Sequence, residues 1–454
     1  MSQQLIHRAS RGLVLSIALL ALSSCALIGA SAADNASASA DISATKQQAI
    51  KVEIVKTASG YQLLRGGKPY TVRGAGINSF DLPSVLAHGG NSVRTWAVDD
   101  GPIPAQLLLD RAHALGMTVS LCLEFARERQ GFDYNDSAAV ALQLEQTRAR
   151  VLKYKDHPAL LSWIIGNELN FDFTEPKVFD AVQAVSKMIH QVDGNHPTTT
   201  ALAHFDERSL AFIAERATDL DFISFQIYAD LINLPKHIAR TQFELPYFVT
   251  EWGAVGHWEV AKTSWGAPIE NTSTEKAANY QKSYQQVLQP YADQAIGNYV
   301  FLWGQKQEKT PTWYGVYLSS GEETETVDVL EHFWTGQWPD NRSPTVKSMT
   351  LAGKHATDNI TLQAGQSYPA VFNAADPESD ILSYHWEVRI ESSSTDIGGD
   401  HEETPQVISG LIENGQTATV TLRTALKRGA YRLFVYAFDD HNHAAHANIP
   451  FYVQ

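Results

Sequence analysis

The chain contains very little cysteine. Among 454 residues there are two, Cys25 and Cys122. Cys25 lies in an N-terminal segment with the features of an export signal, so no disulfide within the mature chain is expected. Cys122 lies in an apolar, strand-like segment and is predicted to be a small core residue rather than a nucleophile. The folded chain must therefore be stabilised by its hydrophobic core.

Positive charge is also in short supply. The chain has 35 Lys and Arg against 50 Asp and Glu, a formal net charge of -15, and no sizeable basic cluster after the N-terminal segment. Nucleic acids and anionic membrane surfaces attract basic proteins. The composition therefore predicts no nucleic-acid partner and no direct electrostatic attraction to a membrane.

The first residues have the layout of a secretory signal. Arg8 and Arg11 precede an apolar stretch at 13–22 that is too short to span a membrane, and small residues follow. We predict a signal peptide at residues 1–32 and a flexible tether, rich in Ser and Ala, at residues 33–49. The protein is therefore expected to be exported.

Two cleavage sites compete in this segment. Leu22-Ser23-Ser24-Cys25 resembles a bacterial lipobox, which would make Cys25 a lipidated N-terminus. Cleavage after Ala32 would instead release a periplasmic or secreted protein. We favour the lipoprotein because the cysteine follows the apolar stretch directly. By resemblance to bacterial lipoproteins, Ala26 rather than Asp after the cysteine favours the outer membrane over retention in the inner membrane. Membrane attachment is expected only through this lipid.

The middle of the chain alternates between strand-like and helix-like patterns. Apolar strand-like runs are predicted at 70–75, 91–96, 117–124, 161–168, 198–203, 221–228, 246–251 and 297–303. Helical patterns lie between them, for example at 103–115, 138–154, 177–192 and 274–288. Eight such alternations favour an α/β fold, a (β/α)8 TIM barrel over residues 50–340, rather than a doubly wound sheet. Short hairpins before it could close the barrel's floor.

Two glutamates end two of these runs. Glu168 closes the fourth predicted strand and Glu251 closes the seventh. All strands of a parallel barrel deliver their C-terminal ends to one face, so the two carboxyl groups are expected to share a cleft. Retaining cleavage of a glycosidic bond needs one carboxylic acid and one attacking carboxylate. The pair therefore suggests glycoside hydrolysis.

The segment from about 50 to 340 resembles the clan A glycoside hydrolases, a group of retaining barrel enzymes. The resemblance rests on Asn167-Glu168 at the end of strand four and on Glu251 at the end of strand seven. It implies that Glu168 is the acid/base and Glu251 the nucleophile. Arg94 and the Tyr228 hydroxyl would lie near Glu251 and favour its ionised form, although Arg94 could instead serve a structural ion-pair network.

The same resemblance suggests sugar contacts. Asn167 would hold the sugar 2-hydroxyl, and Trp303, after strand eight, would stack on the ring or belong to the core. His204, after strand five, is either a sugar contact or a structural histidine. Further tryptophans crowd the predicted loops on this face and are candidates for sugar contacts: Trp96, Trp252, Trp258, Trp265 and Trp313. The charged loop at 124–129 either forms a distinct subsite or is solvated, and the solvated alternative is favoured.

A second domain is predicted at residues 343–454. Alternating strands at 384–390, 418–422, 431–438 and 449–453 are typical of an immunoglobulin-like β-sandwich, and the segment resembles polycystic-kidney-disease and cadherin-like modules. The acidic residues 376–380 are interpreted as turn formers. The histidines at 441, 443 and 446 are placed in a solvated loop. We predict no metal site.

Together these patterns predict a retaining glycosidase acting on a β-linked oligo- or polysaccharide, without a cofactor. The β-linkage follows from the resemblance alone. Two alternatives remain open: a transglycosylase acting on β-glucan, in which a sugar hydroxyl intercepts the covalent intermediate, and a non-catalytic carbohydrate-binding surface lipoprotein. The presence of both glutamates argues against the last.

Overall fold

The computed structural model describes most of the chain after the predicted tether. The described residues are 48–79, 81–101, 103–241, 243–395, 399–425 and 427–454. The predicted signal peptide, Cys25 and nearly all of the tether lie outside them. Of the helices within these ranges, none is both long enough and apolar enough to cross a membrane.

Eight parallel strands form a closed barrel, in the order β10-β11-β4-β5-β6-β7-β8-β9. These strands are β4 (Gly74–Ile77), β5 (Ser92–Arg94), β6 (Thr118–Leu123), β7 (Leu160–Asn167), β8 (Thr198–Ala203), β9 (Ile223–Gln226), β10 (Tyr247–Gly253) and β11 (Ala295–Trp303). Their near-continuous apolar sequences fit strands that are covered on both sides. The predicted barrel is confirmed. The first strand differs most from its predicted position, because residues 70–73 lead into the barrel as extended chain.

Helices surround the barrel. They are α1 (Leu82–Ala87), α2 (Ala105–Ala114), α3 (Ser137–Tyr154), α4 (Lys177–Val192), α5 (Glu207–Arg216), α6 (Leu234–Ile238), α7 (Ser273–Ser283) and α8 (Glu325–Thr335). Capping residues in the sequence determine where two of these helices begin. The Asp136 carboxylate accepts the N–H groups of Ala138 and Ala139 at the start of α3, and Thr272 and Glu275 form a capping box at the start of α7.

A three-stranded sheet closes the amino-terminal end of the barrel. It consists of β1 (Val52–Lys56), β2 (Tyr61–Arg65) and β3 (Lys68–Pro69). Val52 and Leu63 pack in one cluster with Leu161, Phe248 and Ile296, which lie near the starts of barrel strands. This is the floor-closing position that the hairpins suggest.

The C-terminal domain consists of two four-stranded sheets around a shared apolar core. Its strands are β12 (Thr345–Leu351), β13 (Thr361–Leu362), β14 (Ser367–Ala375), β15 (Ser383–Ile390), β16 (Ile412–Glu413), β17 (Thr419–Arg423), β18 (Gly429–Phe438) and β19 (Ala444–Val453). The all-β prediction is confirmed. One expectation was wrong: His446 lies in β19 and is 2% exposed, with its backbone N–H donating to Ser273 Oγ of the barrel, and the His443 side chain is only 13% exposed.

A buried charge network joins the two domains. Glu270 is fully enclosed, and its carboxylate accepts hydrogen bonds from the Lys276 ammonium, the hydroxyls of Thr310 and Thr312, and Asn448 Nδ2 in β19. Burial alone would raise the pKa of Glu270, but the Lys276 charge and these hydrogen bonds outweigh it and hold the pKa at about 2. The carboxylate is therefore ionised and fully partnered.

Replacing Glu270 with Ala is expected to destabilise the protein by about 3–5 kcal/mol, because it leaves the buried Lys276 unpaired. Urea unfolding measures the effect. The matched control is Glu53→Ala, which removes the exposed partner of Lys51 and should cost less than about 1 kcal/mol. Since the folded pKa of Glu270 lies below its ordinary 4.5, its contribution should be complete above that pH and fall as the pH drops toward 2. Equal losses in the two variants would contradict this assignment.

Candidate active site

Glu168 lies directly after β7, at the open end of the barrel. Its backbone adopts a left-handed conformation with φ of 54°, and its N–H donates to the Ala201 carbonyl at 2.9 Å. Gly166 permits this turn, since it too has positive φ, and a Cβ there would lie 2.6 Å from the Leu169 side chain. The chain therefore leaves β7 through left-handed backbone at Gly166 and Glu168.

Glu251 lies in β10 and is 5% exposed. Three donors hold its carboxylate. Oε1 accepts hydrogen bonds from Arg94 Nη1 at 2.8 Å and from Trp96 Nε1 at 2.7 Å, and Oε2 accepts one from the Tyr228 hydroxyl at 2.9 Å. A carboxylate with this set of partners has one fixed orientation.

Arg94, the last residue of β5, connects Glu251 in β10 to Asn167 at the end of β7. It is fully buried, and its Nη2 donates to Asn167 Oδ1 at 2.9 Å. Gln226, the last residue of β9, donates to the same oxygen at 2.6 Å. The structure thus brings together five residues singled out from the sequence, namely Glu251, Arg94, Asn167, Tyr228 and Trp96. Gln226 was missed, although a polar residue closing a buried strand is the same signal that singled out the glutamates.

The two glutamates differ in their electrostatic environment. Burial raises the pKa of Glu168, the nearby Glu251 charge raises it further, and Arg127 and Arg94 oppose both effects, which leaves the pKa at about 7. The pKa of Tyr228 is also raised, by burial and then by the Glu251 charge, so its hydroxyl stays protonated and donates to Glu251. Such a pair of carboxyl groups can supply one proton donor and one anion at neutral pH.

Of the two positions that the sequence left open for Trp303, the structure shows the one in the core. Trp303 is 1% exposed, its Nε1 donates to Ser84 Oγ of α1 at 3.1 Å, and its ring stacks on Trp334 of α8. The register of β11 against β4 shifts between Val300 and Trp303, so simple alternation fails at this strand end. Phe301 instead contacts the rings of Trp96 and Tyr228 at the site.

The other candidates divide between the core and the open face. Trp252 and Trp313 are buried, and Trp265 packs against Tyr452 of the C-terminal domain. Trp258 is 54% exposed and meets the Tyr228 ring edge-on at 5.6 Å. His204 is exposed after β8 with φ of 47°, and its backbone N–H donates to the Gln226 carbonyl at 2.8 Å. Trp258 is therefore an exposed aromatic ring in contact with Tyr228, whose hydroxyl donates to Glu251.

The charged loop after β6 is not simply solvated. Glu124 Oε1 accepts the backbone N–H groups of residues 98–100, which orders the loop after β5. Arg127 Nε donates to the Asn167 carbonyl at 3.1 Å. Glu128 accepts hydrogen bonds from Thr174 and Glu175 in the loop after β7. This loop therefore supports the turn that carries Glu168.

Cys122 and the acidic turn fit the roles predicted for them. Cys122 is unpaired and buried, and burial raises the pKa of its thiol to about 11, which makes it a poor nucleophile. Asp376 Oδ1 accepts the N–H groups of Glu378 and Asp380, as in a turn. Asp376, Asp380 and Asp439 each place an oxygen within 4.8 Å of the others.

Solved structures share this fold, but their sequence identity to this chain is low. No protein-family model and no curated protein matches the chain. Among solved structures, β-glucuronidase 2 of Bacteroides uniformis superposes with a TM-score of 0.50 at 15% identity, over 89% of this chain and 48% of that one. This similarity confirms, at the level of the fold, the resemblance to the clan A barrels.

Two further solved structures are more distant. A putative β-galactosidase from Bacteroides fragilis has a TM-score of 0.47 at 14% identity, over 89% of this chain and 57% of that one. A family 5 mannosidase from Rhizomucor miehei has a TM-score of 0.45 at 15% identity, over 62% of this chain and 96% of that one. The chain spans about half the length of the Bacteroides proteins.

Proposed function

We propose that this protein is a glycoside hydrolase that cleaves a β-linked glycan with retention of configuration. The observation that carries the proposal is the contrast between the two glutamates. Glu251 is held by Arg94, Trp96 and Tyr228, while the pKa of Glu168 is raised to about 7. The fold is shared with a protein named as a β-glucuronidase, which is consistent with this reaction.

Each residue has a defined task in this mechanism. Glu168, protonated, gives its proton to the leaving oxygen while Glu251 attacks the anomeric carbon and forms a glycosyl-enzyme ester. Glu168, now ionised, then takes a proton from the water that hydrolyses the ester. Both acceptor positions of Asn167 Oδ1 are occupied, so its amide N–H groups are left to donate to a sugar hydroxyl.

The exposed aromatic rings suggest where the sugar lies. Trp258 stands beside Tyr228, and Phe301 contacts both Trp96 and Tyr228. Sugar C–H faces pack on such rings. Trp258 therefore takes over the stacking role that the sequence left open for Trp303. Transglycosylation uses the same intermediate and remains the alternative outcome of the same site.

The test is a panel of aryl β-glycosides, β-glucans, mannans and galactans, with product analysis by proton NMR in the first minutes of reaction. We expect the β-anomer to form first from a β-glycoside, because two displacements restore the configuration. Products longer than the substrate would show transfer to sugar. Formation of the α-anomer first would reject retention, and binding without any product would favour a carbohydrate-binding protein.

Export and lipid attachment remain proposals. We propose that residues 1–32 direct export and that Cys25 carries the lipid anchor of an outer-membrane lipoprotein, with cleavage after Ala32 as the alternative. The export layout and the lipobox-like sequence before Cys25 support this placement. The net charge of -15 fits a partner that is neither nucleic acid nor an anionic surface.

A further inference from the structure

Trp96 and Arg94 reach Glu251 from the same segment of chain. Arg94 is the last residue of β5, and Trp96 follows it by two positions. Thr95, between them, continues the pairing with β6, since its N–H donates to the Ser120 carbonyl at 3.3 Å. Side chains two residues apart in extended chain point to the same side. The Arg94 guanidinium and the Trp96 indole can therefore donate to one carboxylate.

Three neighbours hold the Trp96 indole in place. The Arg94 guanidinium carbon lies 4.9 Å from the centre of the ring, and the Phe301 ring meets it edge-on at 5.5 Å. A Cβ on Gly76 in β4 would lie 2.8 Å from Cη2 of Trp96, so a larger residue at this position would displace the ring. These contacts fix the direction in which the indole N–H points.

The two carboxylate oxygens of Glu251 differ in the number of donors that they accept. Oε1 accepts hydrogen bonds from Arg94 Nη1 at 2.8 Å and from Trp96 Nε1 at 2.7 Å. Oε2 accepts one, from the Tyr228 hydroxyl at 2.9 Å, within the part of the chain that the structure describes. A carboxylate oxygen offers two lone pairs to such donors. Both lone pairs of Oε1 are therefore occupied, and one lone pair of Oε2 is free.

We infer that Oε2 of Glu251 is the atom that bonds to the sugar, and that Trp96 is a positioning residue that holds Oε1 and speeds release of the sugar from Glu251. The inference rests on the proposed glycosidase function. In the first displacement a bond forms between Oε2 and the anomeric carbon while the bond from that carbon to the leaving oxygen breaks. Oε1 becomes the carbonyl oxygen of the ester and keeps its hydrogen bonds to Arg94 and Trp96.

The Trp96 hydrogen bond favours the second displacement. There the water oxygen bonds to the anomeric carbon, a water proton passes to Glu168, and the electron pair of the bond between that carbon and Oε2 returns to Glu251. Negative charge grows on the carboxylate during this step, and a charged acceptor forms a stronger hydrogen bond than a neutral ester carbonyl. In the first displacement the same hydrogen bond weakens. Only an interaction that strengthens in the transition state accelerates a step, so Trp96 acts on release rather than on attachment.

The test follows both displacements in the mature protein with a dinitrophenyl β-glycoside of the sugar that the panel identifies. Trp96→Phe removes the donor. A second variant carries 3-benzothienylalanine in place of Trp96, which removes the N–H without changing the shape of the ring. Trp338→Phe is the matched control, because this tryptophan is 44% exposed and stacks on His332 of α8. With this activated leaving group, kcat/KM reports the first displacement and kcat reports the second.

Both variants at position 96 should lower kcat roughly 10- to 100-fold, the rate equivalent of one hydrogen bond to a charged group. KM should fall by a similar factor, because the ester accumulates, so kcat/KM should stay within about threefold. A burst of dinitrophenolate should precede the steady state, and methanol, which competes with water for the ester, should raise kcat. Trp338→Phe should match the unaltered protein in all these measurements.

A second measurement needs no variant. The ester can be trapped on the unaltered protein with a 2-deoxy-2-fluoro glycoside and its crystal structure determined. The carbonyl oxygen of the ester should lie within about 3.2 Å of Trp96 Nε1, and the oxygen bonded to the sugar should lie on the side of Tyr228.

Two results would overturn the inference while leaving the glycosidase assignment intact. One is a trapped ester whose carbonyl oxygen faces Tyr228 instead of Trp96. The other is a benzothienylalanine variant that turns over without a burst, with kcat unchanged or with kcat and kcat/KM lowered equally. Absence of turnover by the unaltered protein on every substrate, aryl glycosides included, would instead reject the proposed function itself and this inference with it.

Discussion

Replacing Glu251 with Gln should lower kcat on aryl β-glycosides by roughly 10³- to 10⁶-fold, as expected when the nucleophile of a covalent mechanism is removed. The amide has nearly the same shape but is not an anion, so it neither attacks the anomeric carbon nor offsets positive charge developing there. Initial rates with a nitrophenyl β-glycoside of the sugar that the panel identifies give the measurement.

The structure also predicts a stability cost for this variant. Arg94 is fully buried and donates to Glu251, so loss of the negative charge should destabilise the fold by about 1–3 kcal/mol. Thermal unfolding must therefore show that the variant remains folded at the assay temperature. Glu244→Gln is the matched control, since this exposed residue precedes the same strand and should change neither rate nor stability. Residual activity above about a tenth of the original would exclude Glu251 as the nucleophile.

Replacing Glu168 with Gln should have an effect that depends on the leaving group. For an alkyl glycoside, whose leaving oxygen must be protonated, kcat/KM should fall by roughly 10²- to 10⁴-fold. For a dinitrophenyl glycoside the first step should change little, because that phenolate leaves without a proton. The second step should then be slow, since no base activates the water, and a burst of phenolate is expected before the steady state.

The pH profile gives an independent check on Glu168. The group must carry a proton at the start of the reaction, and its pKa is raised to about 7 by burial and by the Glu251 charge. For the unaltered protein, kcat/KM on the alkyl glycoside should therefore decline as the pH rises through about 7. In Glu168→Gln assayed on the alkyl glycoside this decline should be absent from the residual activity, whereas Glu244→Gln should retain it. A decline that persists in Glu168→Gln would belong to another group.

The barrel and the two glutamates at its strand ends could be predicted because they rest on local patterns. Parallel strands that are covered on both faces need continuous apolar sequences, and eight of these alternate with helical patterns. A charged residue that closes such a run stands out, as Glu168 and Glu251 do. Arg94, Asn167 and Tyr228 also lie at or just beyond strand ends, and the structure brings them to one site with Glu251.

Contacts that depend on register or on domain docking could not be predicted in this way. The sequence allowed Trp303 to stack on a sugar or to lie in the core. In the structure the register of β11 shifts before Trp303, which packs against Trp334 in the layer of helices, while Phe301 lies at the site. The partners of Glu270 include Asn448, 178 residues away in another domain. The hydrophobic pattern of neither segment predicts that hydrogen bond, because the two residues meet only when both domains are folded.

By itself, the sequence determined the barrel, the all-β domain and the two carboxyl groups at strand ends, since hydrophobic periodicity and charge at strand ends are local properties of the chain. Only the tertiary structure decided which donors hold Glu251, why the pKa of Glu168 is raised, and where the C-terminal domain meets the barrel. These features depend on burial and on distances between residues far apart in sequence. Burial and distance exist only once the chain is folded.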